Sequence, residues 1–359
     1  MKLKSKTLNI AGAILLAASL TGILSGCDSV IYDDSDCVES YNTVRFEYTY
    51  NMKNADAFAQ EVKSVTLFFF NSATGKLVRR VDAPREKLKD GNKLDVAVEP
   101  GEYDILVWGG DYSGDYTIAD GQPGTSVAED FHCRMNRRES NGVHTSDACL
   151  EALYHGMVHV SLPYASPSAP HEVVIPMKKD TNTIRVVLQH VSGEVVSHED
   201  FEFTLTDRNG WLNYDNTLRD AGTTINYLPW RTVTGSVDIN TDPNDAPGNV
   251  ASPAVKTAAS RSVLGASLAE FTVNRLMMEN NPVLTITNKQ TGKTVLSIPV
   301  RDYALLVKGF AHEDMDNQEY LDRQDEYNMT FFLTGDKQWL STVIIINDWR
   351  IVRHNVDIE

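Results

Sequence analysis

Cysteine and basic residues are both scarce in this chain. Only four of the 359 residues are cysteine, which is too few for a fold built on disulfides at this length. The 33 Lys and Arg residues face 49 Asp and Glu residues, so the formal net charge is −16. No large Lys/Arg cluster occurs, and this excludes a nucleic-acid partner, because nucleic-acid binding requires a strong basic patch.

Catalytic motifs are also lacking. The sequence has neither a G-x-S-x-G elbow nor a G-x-x-x-x-G-K-[ST] phosphate loop. His155 and His159 have the i, i+4 spacing of a zinc helix, but their segment is typical of a strand, which would separate them by about 13 Å. Asp111, Asp115 and Asp120 lack the alternate spacing of a calcium loop. We therefore predict no metal, no cofactor and no enzymatic activity.

The N-terminus carries an export signal. Three lysines, Lys2, Lys4 and Lys6, precede an apolar run over residues 8–24. A basic segment followed by a short apolar segment is typical of a secretory signal peptide. The run of 17 residues is marginal for crossing a hydrocarbon core of about 30 Å.

A lipidation signal follows at Leu24, Ser25, Gly26 and Cys27. This order matches the bacterial lipobox, in which small residues admit the peptidase and the cysteine thiolate accepts the lipid. We predict cleavage between Gly26 and Cys27, with lipid on Cys27. Removal of 26 residues and three lysines would leave 333 residues with a net charge of −19. Residues 27–42 are predicted to form a tether.

The rest of the chain is dominated by period-2 hydrophobic patterning. Short alternating or apolar segments separated by Gly, Pro and Asn turns predict an all-β protein made of β-sandwiches. The predicted strands cover residues 43–50, 62–70, 76–81, 94–98, 103–108, 157–162, 172–176, 183–189, 201–205, 270–273, 283–287, 295–299, 327–333 and 343–346. Residues 62–70 with 76–81, and 283–287 with 295–299, read as hairpins.

The length suggests two domains. We place the boundary near Asp180, giving an N-terminal sandwich over residues 43–180 and a C-terminal sandwich over 181–359. Short helical or irregular segments are predicted at residues 55–61, 303–308 and 318–323. Residues 232–261 are rich in Pro, Asn, Asp, Gly and Ser and are predicted to form a long exposed loop.

Two groups of residues leave alternatives open. Cys37, Cys133 and Cys149 would reach a compartment that permits disulfides. Cys133 and Cys149 are nearest in sequence, but Cys37 could pair with either. Four aromatic residues could stack on sugar rings of a surface glycan, although packing roles are favoured for them. They are Trp211, Tyr214, Tyr227 and Trp230.

In combination, several segments of the chain resemble the FimB-type fimbrial anchor family of Bacteroidales lipoproteins, whose members are subunits of type V pili. The resemblance spans nearly the whole mature chain. The matching segments are Cys37, VRFEYTYNM (44–52), ADAF (55–58), residues 62–70, PGEY (100–103), VWG (107–109), LYHG (153–156), TNTIRV (181–186), FTVNRL (271–276), LDRQDEY (321–327) and IIINDW (344–349).

The resemblance implies two tandem transthyretin-like β-sandwich domains with short helices and long loops. It implies an outer-membrane lipoprotein that anchors or terminates a fimbria, with fimbrial subunits as partners through strand exchange. In this class a trypsin-like protease clips stalk subunits near the first strand. Cleavage at Arg45 or Lys53 would separate Cys27 from the body, so an anchor is favoured over a tip or stalk subunit. A surface glycan-binding lipoprotein is the other alternative.

Overall fold

A computed structural model describes residues 42–110, 114–166, 168–219, 223–239, 262–309 and 312–352. Twenty-three strands and three short α-helices lie in these ranges. The strands are β1 (Asn42–Glu47), β2 (Ser64–Asn71), β3 (Leu77–Pro84), β4 (Lys93–Val96), β5 (Gly101–Gly110), β6 (Tyr116–Ile118), β7 (His132–Met135), β8 (Arg138–Ser140), β9 (Val143–Ser146), β10 (Leu153–Leu162), β11 (His171–Pro176), β12 (Lys178–Lys179), β13 (Thr181–His190), β14 (Phe201–Asp207), β15 (Trp211–Asn213), β16 (Ile225–Tyr227), β17 (Arg231–Ile239), β18 (Ser262–Asn274), β19 (Val283–Asn288), β20 (Thr294–Pro299), β21 (Glu326–Leu333), β22 (Trp339–Ile346) and β23 (Trp349–Val352). The helices are α1 (Phe58–Glu61), α2 (Val300–Leu305) and α3 (Asn317–Arg323).

The first part of the fold contains two sheets. One has three strands in the order β11-β1-β4, and the other has five in the order β12-β10-β5-β2-β3. Alternate residues of both sheets, among them Phe46, Leu67 and Val107, are fully buried in one apolar cluster. Two sheets sharing a core in this way form a β-sandwich.

Strands β2 and β5 are buried on both faces. Val65, Leu67 and Phe69 contribute to the first cluster. Phe68 and Phe70 point to the other side, where they pack in a second cluster with buried residues of the segment between β5 and β10. A strand covered on both faces needs apolar residues at consecutive positions, which explains the run VTLFFF.

The second part combines two six-stranded sheets, β17-β18-β13-β21-β22-β23 and β20-β19-β14-β16-β9-β8. Their core belongs to the second cluster. Strands β8 and β9 precede Asp180, yet they join a sheet formed by later strands, and β7 pairs with β15. The predicted boundary falls inside one compact unit that begins at Ser40, and the division into two domains stays a prediction.

The all-β fold class is confirmed. Both predicted hairpins form, as the antiparallel pairs β2–β3 and β19–β20. The helical prediction at residues 55–61 holds for its last turn, which is α1. No helix in the described ranges is long and apolar enough to cross a membrane.

The long loop predicted over residues 232–261 is wrong in its first part. Residues Arg231–Ile239 form β17, which pairs with β18 along its whole length. The sequence TVTGSVDI alternates and is rich in Thr, Val and Ile, which favour strands. The loop prediction used the average composition of residues 232–261, and this average hides the short alternating pattern at their start. Residues 240–261 lie outside the described part.

Candidate functional site

The predicted lipid tether leads directly into β1. Gly26, Cys27 and Cys37 lie outside the described residues, which begin at Asn42. β1 runs parallel to β11 and antiparallel to β4, so it occupies the centre of its sheet. Val44 and Phe46 are fully buried. The strand nearest the tether is therefore held by a ladder on each side and by core packing beneath.

Charged side chains connect β1 to its neighbours across the outer face. Arg45 lies 3.0 Å from Glu172 on β11, and Lys93 on β4 lies 2.9 Å from the same carboxylate. Hydrogen bonds from Lys93 and then Arg45 hold the pKa of Glu172 below its usual value. Such exposed pairs are individually weak, but here they span all three strands.

The turn after β1 is fixed by one carboxylate. Asp56 Oδ1 accepts hydrogen bonds from the backbone N–H groups of Tyr48 and Phe58, each at 3.0 Å. Tyr48 is buried against Tyr154, with the ring centres 5.1 Å apart. The chain is thus bent immediately after β1 and enters α1 at Phe58.

Arg323, at the end of α3, holds the same turn from the other side. Its guanidinium carbon lies 4.2 Å from the centre of the Tyr50 ring. Its Nη1 donates to Asn54 Oδ1 at 3.0 Å and to the carbonyl of Asn51 at 3.3 Å. Lys178 also approaches the Tyr50 ring, at 5.1 Å. Tyr50 therefore lies in contact with two cations.

A buried ion pair lies beside the contact between Arg323 and Tyr50. Arg275, which follows β18, binds Asp322 of α3 through two hydrogen bonds of 2.6 and 2.8 Å. Lys178 lies 2.8 Å from the same carboxylate, whose side chain is 1% exposed. Gln318 adds a hydrogen bond of 2.8 Å. Every oxygen of this buried charge is thus bonded, as a buried carboxylate requires.

Asp180 is the second buried carboxylate of this region. It is fully buried, and its Oδ1 accepts a hydrogen bond of 2.8 Å from Asn216. Its backbone N–H bonds to Leu153, and its carbonyl accepts the N–H of Arg275. Burial raises the pKa of Asp180 to about 7, although the nearby Arg275 charge opposes the shift.

We name Lys178, Asp180, Asn216, Arg275 and Asp322 the polar junction. Two segments that carried the family resemblance, residues 181–186 and 271–276, meet beside it. The side-chain oxygen of Asn182 accepts a hydrogen bond of 3.2 Å from the backbone N–H of Leu276. Sequence reasoning used Asp180 only as a boundary and did not identify the junction. Its members lie on distant segments, so no local spacing reveals them.

A cavity of about 460 Å³ opens beside the polar junction and is lined in part by His155, Arg275 and Met277. The Nε2–H of His155 donates to the carbonyl oxygen of Tyr214 at 2.7 Å, and burial lowers the pKa of His155 to about 4. His159, farther along β10, is exposed and contacts Asp104 instead. No group of His, Cys, Asp or Glu able to hold a metal ion occurs in the described ranges.

The acidic loop residues do not share a site. Asp115 accepts the N–H of Glu151 at 2.7 Å, whereas Asp120 pairs with Arg80 at 2.9 Å. Asp111 lies outside the described residues. Asp115 and Asp120 therefore serve separate structural contacts.

The four candidate sugar-stacking aromatics occupy different environments. Tyr227 is buried and donates its hydroxyl to Asn209. Arg219 and Arg134 approach the Trp211 ring at 5.5 and 5.9 Å. The other two differ again, because Tyr214 packs partly buried against the core and Trp230 is 36% exposed.

Cys133 and Cys149 are both free thiols in the structure. Cys133 lies on β7 and is buried, and burial raises its pKa well above the usual value. Cys149 is exposed in the loop before β10. The candidate disulfide between them is thus not formed here.

The packed sheets and the doubly paired β1 define an all-β protein built from β-sandwich layers. Residues 32–355 match the family model of fimbrillin-A associated anchor proteins Mfa1 and Mfa2, and the chain belongs to that family. Its members are fimbrial accessory proteins rather than enzymes, associated with the fimbria at the cell surface. No match occurs among curated proteins.

Solved structures agree with this assignment. A candidate adhesin of Bacteroides thetaiotaomicron is 28% identical with a TM-score of 0.73, covering 88% of this chain and 99% of that one. A candidate polysaccharide-binding protein of the same species is 26% identical with a TM-score of 0.71 and the same coverage. The fimbrial anchor protein Mfa2 of Porphyromonas gingivalis, at 15% identity, shares the fold with a TM-score of 0.60, again covering 88% and 99%.

Proposed function

We propose that this chain is an outer-membrane lipoprotein that anchors a fimbria, with lipid on Cys27 and strand-mediated contacts to a fimbrial subunit. Family membership supports a fimbrial accessory role. The observation that carries the proposal is the position of β1 at the centre of its sheet. A strand paired on both sides gives a lipid tether a firm attachment to the folded body.

The same position protects the tether from proteolysis. Arg45 lies within β1, where proteolysis would first require local unfolding of the sheet. Lys53 is exposed, but its turn is held by Arg323 and its N–H bonds to Asn51 Oδ1 at 3.0 Å. An anchor must keep this connection intact, because a cut at either residue would free the body from the lipid.

The test is to replace Cys27→Ser in the full chain and express it in the source bacterium, with Cys149→Ser as the matched control. Lipid labelling of the protein should be lost with Cys27→Ser and kept with the control. Cells that carry Cys27→Ser should release intact fimbriae into the medium, and cells that carry the control should not. Fimbriae that stay on cells carrying Cys27→Ser would refute the anchoring role.

A tip or stalk role would give a different mature end. If the assembled protein begins downstream of Tyr50, the protease has removed β1, and the anchor proposal fails. N-terminal sequencing of the chain from purified fimbriae distinguishes these alternatives.

Surface glycan binding is a second candidate. It is favoured by the 26% identical relative described as a candidate polysaccharide-binding protein and by the partial exposure of Trp230. Binding to polysaccharides that is lost in Trp230→Ala or Trp211→Ala would support it. Tyr227 is buried, so it is removed from the predicted sugar-stacking set.

A further inference from the structure

The open edges of the described sheets differ greatly in how well they are protected. Natural edge strands are usually short, charged, bulged or ended by proline, because unpaired N–H and C=O groups invite another strand. Strands β8 and β12, for example, have three and two residues. Strand β20 ends at Pro299 and faces a register shift in β19.

Strand β3 is longer but is guarded in several ways. It carries Arg79, Arg80 and Asp82, and it ends at Pro84. The backbone of Leu77 at its start already bonds to Gly124 and Ser126. Its pairing with β2 also contains a register shift.

Strand β17 has few of these protections, since its charged residues, Arg231 and Asp238, stand only near its two ends. It is nine residues long, contains no proline or lysine, and pairs with β18 without a shift from Arg231 to Ile239. It lies at the edge of its six-stranded sheet, and β18 is its one ladder partner in the described part of the chain. Within the described ranges its outer side is therefore an open template for an extended segment.

The side chains beside this edge indicate what that segment would carry. Val233 lies opposite Leu268, which lies opposite Val187. These three side chains are half-buried on the face away from the core. A strand added at β17 would continue this apolar row with an apolar residue next to Val233. Arg231 already pairs with Glu270 of β18 at 3.0 Å, so the apolar row sets the preference of this edge.

We infer that the outer edge of β17 receives an extended segment of the fimbrial subunit next to this chain, by addition of a strand to the sheet. This inference rests on the proposed function. Strand β1 already fills the centre of its own sheet, so the contact must use an edge that is open. A second copy of the chain is disfavoured as the occupant, because each mature copy would carry a net charge of −19.

Two matched glycine substitutions test the inference. A Cβ at either Gly235 in β17 or Gly335 in the β21–β22 turn would meet no atom within 4 Å, and neither has a positive φ. Gly235→Lys places a charge on the edge, whereas Gly335→Lys makes the same chemical change elsewhere. Both variants should fold with unchanged thermal midpoints.

The full mature chain is mixed with fimbriae sheared from cells that lack its gene, and binding is measured by co-sedimentation. Gly235→Lys should weaken binding at least tenfold, and Gly335→Lys less than twofold. Amide exchange of residues 231–239 should slow when wild-type protein binds.

Each other outcome counts against the inference. Binding by Gly235→Lys at wild-type strength, or protection at another edge, overturns the role of β17 but leaves the anchor proposal standing. Failure of the wild-type chain to bind fimbriae overturns both. A dimer that light scattering detects in the wild type and not in Gly235→Lys would make a second copy the occupant and refute the inference.

Discussion

The guanidinium of Arg323 stacks on the ring of Tyr50, 4.2 Å from its centre, and thereby joins α3 to the turn that follows β1. The two residues are far apart in sequence, but the contact lies where the predicted tether passes into the body. Arg323 also pairs with Glu319 one turn earlier on α3, at 2.7 Å. This ion pair fixes the guanidinium while its Nη1 bonds to the turn.

Replacing Arg323→Ala should make the bond after Lys53 susceptible to trypsin. The variant loses the cation–π contact and the hydrogen bonds to the turn, which together contribute about 1–3 kcal/mol. Local opening, and with it cleavage, should therefore become about 5- to 160-fold faster, since each 1.4 kcal/mol is a factor of about ten. The measurement is the rate at which a new N-terminus appears at Asn54 under limited trypsin.

Arg323→Lys separates the charge from the geometry. Lysine keeps the positive charge but lacks the planar fork, so cleavage should be intermediate. Arg80→Ala serves as the control, because Arg80 pairs with exposed acids at a different edge. Equal cleavage rates for wild type and Arg323→Ala would show that Arg323 does not hold the turn.

Replacing Asp322→Ala should strongly destabilise the protein. The variant leaves Arg275 buried without its bidentate partner and removes an ion-pair partner from Lys178. Breaking a buried pair in this way costs about 3–5 kcal/mol. The measurement is the free energy of unfolding from urea titration.

The exposed pair of Asp120 and Arg80 provides the control for this change. Asp120→Ala removes an acid that is 74% exposed, so it should cost less than about 1 kcal/mol. Similar losses for Asp322→Ala and Asp120→Ala would contradict the structural role of the polar junction.

Patterns that are local in sequence predicted most of the strands. The run from Val65 to Phe70 and the hairpin at β19–β20 follow from alternation and turn residues. Strand β17 was missed because its alternation is short and the composition of the segment that follows it outweighed the signal. Strands β9 and β16 were not predicted, because each is only three or four residues long, and their pairing joins segments from opposite sides of Asp180.

The polar junction was beyond local reasoning for a physical reason. Asp322 lies 47 positions from Arg275, and Asn216 lies 36 positions from Asp180. A charged residue after a strand is ordinarily assigned to the surface, and only tertiary packing buries these. The lipid site at Cys27 is the reverse case, since its signal is entirely local and it stays a prediction from the sequence.

The two described cysteines should react very differently with maleimide. Cys149 is exposed and should be labelled in the folded protein within minutes, whereas buried Cys133 should be labelled only in denaturant, because burial raises its pKa and excludes the reagent. Mass spectrometry of peptides identifies the labelled residue. If both are protected in denaturant until a reductant is added, the two are joined in a disulfide and the free-thiol assignment is wrong.

Replacing Asp180→Asn should change how stability depends on pH. The pKa of Asp180 is raised from 3.8 to about 7 by burial. Between these values the unfolded chain releases the proton while the folded chain keeps it, so the unfolding free energy of the wild type falls as pH rises. Asparagine at this position does not titrate. The unfolding free energy of Asp180→Asn minus that of the wild type should therefore rise by about 3 kcal/mol from pH 5 to pH 7.5, at about 1.4 kcal/mol per pKa unit.

Asp120→Asn provides the matched control for this titration. The pKa of Asp120 lies below 3.8, through hydrogen bonds from the Gly121 N–H and from Arg80. The stability that ionised Asp120 contributes is lost only as pH falls through that lower pKa. The difference in unfolding free energy between Asp120→Asn and the wild type should therefore stay constant between pH 5 and 7.5. Urea titrations of all three proteins at both pH values give the comparison. A difference for Asp180→Asn that also stays constant would mean that Asp180 is already ionised at pH 5, with Arg275 compensating fully for its burial.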